Sequence, residues 1–131
     1  MGYLLGLDIG TSAVKALLLK VSGELVGDAS AEYPLFSPRP GWSEQNPEDM
    51  WQATVEAIKR VLGEYGVDPA SIRGIGLSGQ MHGAVLLDRA DRVLRPCILW
   101  NDTRSHVEAA TLDADPRFRK ITGNIVFPGF T

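Results

Sequence analysis

The sequence predicts an α/β domain whose mixed sheet opens with three antiparallel strands and is flanked by helices. Three observations carry this reading. Apolar runs at residues 3–8 and 13–20 are joined by a Gly10-Thr11-Ser12 turn, as in adjacent strands. A third run at 25–32 follows the turn signal Ser22-Gly23-Glu24 and extends the meander. An amphipathic helix and a further apolar run at 72–78 complete the order strand, strand, strand, helix, strand.

Each element has a local cause. Residues 2–7 alternate poorly between apolar and polar, which predicts a first strand covered on both faces. Residues 33–42 carry three prolines in seven positions (Pro34, Pro38, Pro40), so they form an ordered loop and not a central strand. Trp42 is expected to pack that loop. Asn46 is a candidate N-cap for the helix that follows. Pro47 suits its first position, and Glu48 and Asp49 favour its positive end. Trp51, Val55, Ile58 and Leu62, widened by Thr54 and Val61, predict its core stripe, and Gly63 or Gly66 its end. Beyond the strand at 72–78, the glycine-bracketed segment Gly79-Gln80-Met81-His82-Gly83 leads to a strand expected at 84–88. An extended stretch at 93–100 follows. A second helix is expected from Asn101 to about Leu112, and a short third from Asp115-Pro116 to Gly123. This order matches the core of the ribonuclease H-like fold shared by actin-like ATPases and sugar kinases.

Composition narrows the class. A chain of 131 residues with 44% hydrophobic and 22% charged residues can bury a core as one domain. A net charge of −3 predicts no broad attraction to nucleic acid or anionic membrane. The N-terminal apolar run lacks a basic flank and is broken by Gly6, Asp8 and Gly10. It therefore reads as neither signal peptide nor membrane span, and the chain reads as cytoplasmic. The single cysteine, Cys97, lies in an apolar run and reads as a buried structural thiol.

The chemistry begins at Asp8, the single acid in the first 23 residues, placed where the first strand ends. Gly10 admits a tight turn and close ligand approach, while Thr11 and Ser12 offer hydroxyl and N–H groups to phosphate oxygens. A carboxylate beside such a turn can hold Mg²⁺ directly or through its waters. Lys15 is either a phosphate partner or a solvated strand residue. His82, between glycines and beside Met81, stands where the chain's shape is specialised. Trp100, at an element end, is either a pocket wall or core. Asp102 is either a pocket residue or a helix cap. His106 is expected on a polar helix face.

Longer motifs make the reading specific. Gly76-Leu77-Ser78-Gly79-Gln80-Met81-His82-Gly83-Ala84, followed by residues 94–104 around Leu99-Trp100-Asn101-Asp102, resembles the FGGY carbohydrate kinases. The likeness is strongest to the branch that phosphorylates ketopentoses. Trp42-Ser43-Glu44-Gln45-Asn46-Pro47, Ile121-Thr122-Gly123-Asn124 and Pro128-Gly129-Phe130-Thr131 resemble the same branch, so the similarity runs over essentially the whole chain.

The resemblance implies transfer of the γ-phosphate of ATP, with Mg²⁺, to a ketopentose hydroxyl, with D-xylulose giving D-xylulose 5-phosphate. Asp8 matches the family's phosphate-motif aspartate, which organises metal and water. Gly10, Thr11, Ser12 and Lys15 match the phosphate turn. Met81 and His82 match the pair that contacts the sugar, and Trp100 and Asp102 match a segment near the same pocket. Family chains are several times longer, and their general base, an aspartate, is expected beyond residue 131 together with a second, C-terminal domain. The chain thus reads as the N-terminal part of the first kinase domain, inactive alone. The implied partners are the sugar and ATP, without nucleic acid or membrane; a homodimer is compatible.

Ribulose, fuculose, gluconate and glycerol kinases are rival activities within the family. A non-catalytic sugar-binding module is a rival outside it. A metal-dependent nuclease of the same fold needs several convergent acids and usually a basic face, whereas the first strands offer one acid and the net charge is negative.

Overall fold

In the computed structural model, which describes residues 2–130, the elements run β1 (Tyr3–Ile9), β2 (Ala13–Lys20), β3 (Leu25–Glu32), β4 (Glu44–Gln45), α1 (Pro47–Glu64), β5 (Ile72–Gly79), β6 (Cys97–Ile98), α2 (His106–Asp113) and α3 (Pro116–Thr122). They fall into two compact units. The first comprises the residues up to Pro34 with Glu48–Gln80; the second comprises Leu35–Pro47 with the residues from Met81 onward.

The first unit is built on a four-stranded sheet of order β3-β2-β1-β5. The β1–β2 and β2–β3 pairs are antiparallel and β1–β5 is parallel, so the sheet is mixed with an antiparallel start. Strand side chains alternate between faces. On one face Leu5, Leu7, Val14, Ala16 and Leu18 form a buried core with Ala53, Ala57 and Val61 of α1. The expectation that the first strand is covered on both faces fails. Leu4 and Asp8 are exposed, because α1 covers one side of the sheet only. Ile75 and Leu77 on β5, in register with Leu5 and Leu7, are also exposed.

Helix α1 begins at Pro47 with Glu48 and Asp49 in its first turn, as expected. It closes with Gly66 at φ +61°, where the Val67 and Gly66 N–H groups donate to the carbonyls of Leu62 and Gly63. Its buried residues are Ala53, Thr54, Ala57 and Val61, with Met50, Ile58 and Leu62 partly buried. Trp51, expected in the core, is 60% exposed. The small residues Ala53 and Ala57 are the ones turned inward, and Trp51 falls outside that stripe.

In the second unit, β4 pairs antiparallel with β6. The strand expected at 84–88 is reduced to isolated bridges, Ala84 to Ile98 and Leu87 to Val93. The Asp88 carboxylate accepts the N–H groups of Ala90 and Arg92, diverting backbone donors into a local turn. Helix α2 starts at His106 and not near Asn101, because the Asp102 carboxylate draws the Arg104 N–H into a separate turn. Helix α3 is capped by Asp115 and stopped by Gly123 at φ +71°, as expected. Cys97 is buried, and burial pushes its thiol pKa up. Among the described residues no helix is long and apolar enough to cross a membrane.

Candidate functional site

Hairpin register sets out the first group of residues. Asp8 stands opposite Lys15 on β2 and Ser78 on β5, so the three side chains share the face that α1 leaves open. The Ser78 hydroxyl donates to Asp8 Oδ1 at 3.1 Å. Lys15 Nζ lies 3.4 Å from Asp28 Oδ2. Both side chains are about half exposed, and such pairs contribute only about 0–1 kcal/mol, so Lys15 is readily redirected to an anion. Gly6, Asp8, Lys15, Leu17, Gly76 and Ser78 line a shallow groove of about 340 Å³.

Beside Asp8, the turn at residues 10–12 is held by bonds at the Gly10 N–H and at the Gly10 and Ser12 carbonyls. Gly10 N–H donates to Ala13 O at 3.0 Å, and Gln80 N–H donates to Ile9 O at 2.9 Å. Tyr33 N–H donates to Ser12 O at 3.3 Å, and the Tyr33 hydroxyl donates to Gly10 O. Tyr33 is itself buried; burial pushes its phenol pKa up and the Asp8 charge adds to this, keeping it a donor. A Cβ on Gly10 would sit 3.3 Å from Ala13 O, so it is close packing that favours glycine here. Among the described residues, no three His, Cys, Asp or Glu gather to hold a metal.

The second unit holds the other predicted residues. His82 adopts φ 62°, unusual for a residue with a side chain, and its imidazole stacks on Phe130 with centroids 4.3 Å apart. Phe130 stacks in turn on Phe127 at 4.5 Å and meets Trp100 edge-on at 6.5 Å. Gly129, at φ +79°, lets this turn close on the Trp100 carbonyl, which a Cβ would approach to 2.0 Å. His82, Arg104, Glu108, Leu112, Val126 and Phe130 are among the residues lining a cavity of about 360 Å³. Met81 is exposed, and Trp100 is 40% exposed.

Asp102 is placed differently from its neighbours. It is 2% exposed, and its carboxylate accepts from Ser43 N–H at 2.7 Å and from Arg104 N–H, Nε and Nη2. Burial works to raise its pKa, but the hydrogen bonds from Arg104 and Ser43 outweigh it and hold the carboxyl below its usual range. The same guanidinium reaches Glu44 Oε1 at 2.8 Å and lies 3.7 Å over the Trp42 ring. Arg95 Nη2 also donates to Glu44 at 2.8 Å. Sequence reasoning gave no role to Tyr33, Glu44, Ser78, Arg104, Phe127 or Phe130. The Asp-x-Arg spacing at 102–104 is the one local signal that could have found any of them.

The family model described as the FGGY family of carbohydrate kinases, N-terminal domain, matches residues 3–131. The xylulose kinase of Escherichia coli K12 is 47% identical over 97% of this chain, and the match covers 26% of its own length. The gluconokinase of Bacillus subtilis is 39% identical over 79% of this chain and 20% of its own length. The crystal structure of a xyloylose kinase from Brucella ovis superposes with a TM-score of 0.94 and 60% identity, covering 98% of this chain and 27% of that one. The chain therefore spans about a quarter of the length of the relatives it matches. The mixed sheet, the helices and these neighbours identify the fold as ribonuclease H-like, of the actin-like ATPase type, present here in part. The chain belongs to the FGGY family of carbohydrate kinases.

Proposed function

We propose that the complete protein transfers the γ-phosphate of ATP to a hydroxyl of D-xylulose, and that this segment supplies the phosphate turn and part of the sugar pocket. The observation that carries the reading is Asp8: an exposed carboxylate at a strand end, beside a turn whose Gly10 and Ser12 carbonyls are already engaged. Likeness to xylulose kinases over nearly the whole chain supports the choice of sugar.

Asp8 fits a Mg²⁺ ion. One carboxylate with a hydroxyl neighbour, and no cluster of three acids among the described residues, suits a cation that takes one or two protein carboxylates and keeps its waters and phosphate oxygens. Bound Mg²⁺ neutralises charge on the transferring phosphate. Thr11 and Ser12 bring hydroxyls to the phosphate oxygens, Gly10 leaves room for them, and Lys15 adds a mobile positive charge. Positioning and charge neutralisation are most of what phosphoryl transfer requires of a protein.

On the sugar side, His82 offers ring nitrogens and Trp100 a flat apolar wall, both fixed through Phe130. Met81 reaches the sugar through its backbone or its exposed side chain. Asp102, with its carboxylate occupied by Ser43 and Arg104, acts by closing the Trp100-Asn101 turn through its N–H on the Leu99 carbonyl and not by touching sugar. No Asp or Glu of this segment is assigned the general base. The assembled enzyme works as a soluble cytoplasmic kinase; a homodimer is compatible.

The test is ADP release by the complete protein across D-xylulose, D-ribulose, L-fuculose, D-gluconate and glycerol. D-Xylulose is expected to give the highest kcat/KM. His82→Ala should raise the sugar KM by about tenfold or more while leaving the ATP KM within about twofold. A clear preference for gluconate would replace the substrate with the one named by the gluconokinase relative. An unchanged sugar KM would remove His82 from the site.

A further inference from the structure

We propose that Tyr33 is a positioning residue for phosphoryl transfer, clamping the Gly10 and Ser12 carbonyls of the phosphate turn so that neither swings toward the phosphate. The inference rests on the reading of the 10–12 turn as the phosphate site.

Two bonds from one residue hold the turn at both ends. Tyr33 N–H takes the Ser12 carbonyl and the Tyr33 hydroxyl takes the Gly10 carbonyl. A third carbonyl, that of Ile9, is taken by Gln80 N–H, and Gly79 lets β5 approach it, since a Cβ there would lie 2.5 Å from Ile9 O. Trans peptides are planar, so the C=O of Gly10 and the N–H of Thr11 point in opposite directions. Fixing the Gly10 carbonyl on Tyr33 therefore fixes the Thr11 N–H away from Tyr33. The same reasoning ties the Ala13 N–H to the Ser12 carbonyl. A carbonyl oxygen free to swing outward would repel phosphate oxygens, and the clamp removes that conformer.

Tyr33 suits this work. It is 7% exposed and follows directly on β3, so its backbone is anchored by the sheet. Pro34 follows it and restricts its backbone to extended conformations. The raised phenol pKa agrees with a hydroxyl that stays a donor near Asp8.

The test uses the complete protein and the near-isosteric Tyr33→Phe, with Asp8→Asn as a control for the underlying reading. Tyr33→Phe is expected to lower kcat/KM for ATP by about tenfold and to leave the D-xylulose KM within about twofold. Backbone amide exchange over residues 10–13 should accelerate by about tenfold, while exchange over α1 stays at the wild-type rate. An unchanged kcat/KM for ATP overturns the proposal, as does unchanged exchange over the turn. So does a parallel loss of both substrates' parameters with faster exchange throughout, which marks a merely structural role. If Asp8→Asn leaves turnover intact, the phosphate reading fails, and the positioning role with it. Exchange over 10–13 then still decides whether Tyr33 clamps the turn.

Discussion

Asp102 carries a negative charge into an almost closed environment, and the reason it can do so lies in its partners. Ser43 N–H and three donors of Arg104 surround its carboxylate, and Arg104 is itself shared with Glu44 and backed by Trp42. The carboxyl is held below its ordinary range, so the ionised form favours the folded state. That contribution is complete above the unfolded pKa of about 4 and is lost as pH falls through and below the lower folded value. Asp102→Asn is expected to cost about 3 kcal/mol at pH 7 in urea unfolding, because Arg104 loses its main partner. The gap from wild type should narrow as pH falls below about 4; a constant gap between pH 7 and pH 3 would contradict this. The sequence offered Asp102 as a pocket residue or a helix cap; its carboxylate accepts from Ser43 and Arg104. Its partner Ser43 is 59 positions away, beyond the reach of any local pattern. Asp8 was legible for the opposite reason, since a lone acid between two apolar runs and a Gly-Thr turn is a local signal.

Helix α1 shows how far periodicity reaches. Its start and its end were both legible, because caps are local chemistry: Pro47 with two acids at one end, glycine at the other. Its buried face was read in part: Thr54, Ile58, Val61 and Leu62 turn inward as expected, and Trp51 does not. Helical spacing with Val55, Ile58 and Leu62 favoured Trp51, whereas packing against the sheet favours the small Ala53 and Ala57. The discriminating pair of substitutions is Trp51→Gln and Val61→Ala. Trp51→Gln should change stability by no more than about 0.5 kcal/mol, while Val61→Ala should cost about 2 kcal/mol through lost burial and the space left behind. A larger loss for Trp51→Gln in thermal unfolding would return Trp51 to the core. Strands β1, β2, β3 and β5 were legible from apolar runs and turns. The 84–88 strand was not, because the Asp88 side chain competes with the ladder for backbone donors.

Across the molecule, the order of elements and the motifs told more than composition did. The mixed sheet and the family were both within reach of the sequence. The division into two units was not, since neighbours in sequence such as Gln80 and Met81 fall on different sides of it. On the proposed reading each unit carries its own part of the chemistry: the 10–12 turn with Asp8 in one, the His82–Phe130–Trp100 cluster in the other. Phe127 and Phe130 were given no role because single aromatics carry no periodic signal. The whole reading stands on Asp8 as the organiser of phosphate and metal. The deciding measurement is single-turnover phosphorylation of D-xylulose by the complete protein carrying Asp8→Asn, with sugar binding followed separately by calorimetry. Turnover should fall by about a thousandfold or more while sugar affinity stays within about threefold. Turnover within a few-fold of wild type would contradict the assignment of Asp8 to phosphoryl transfer.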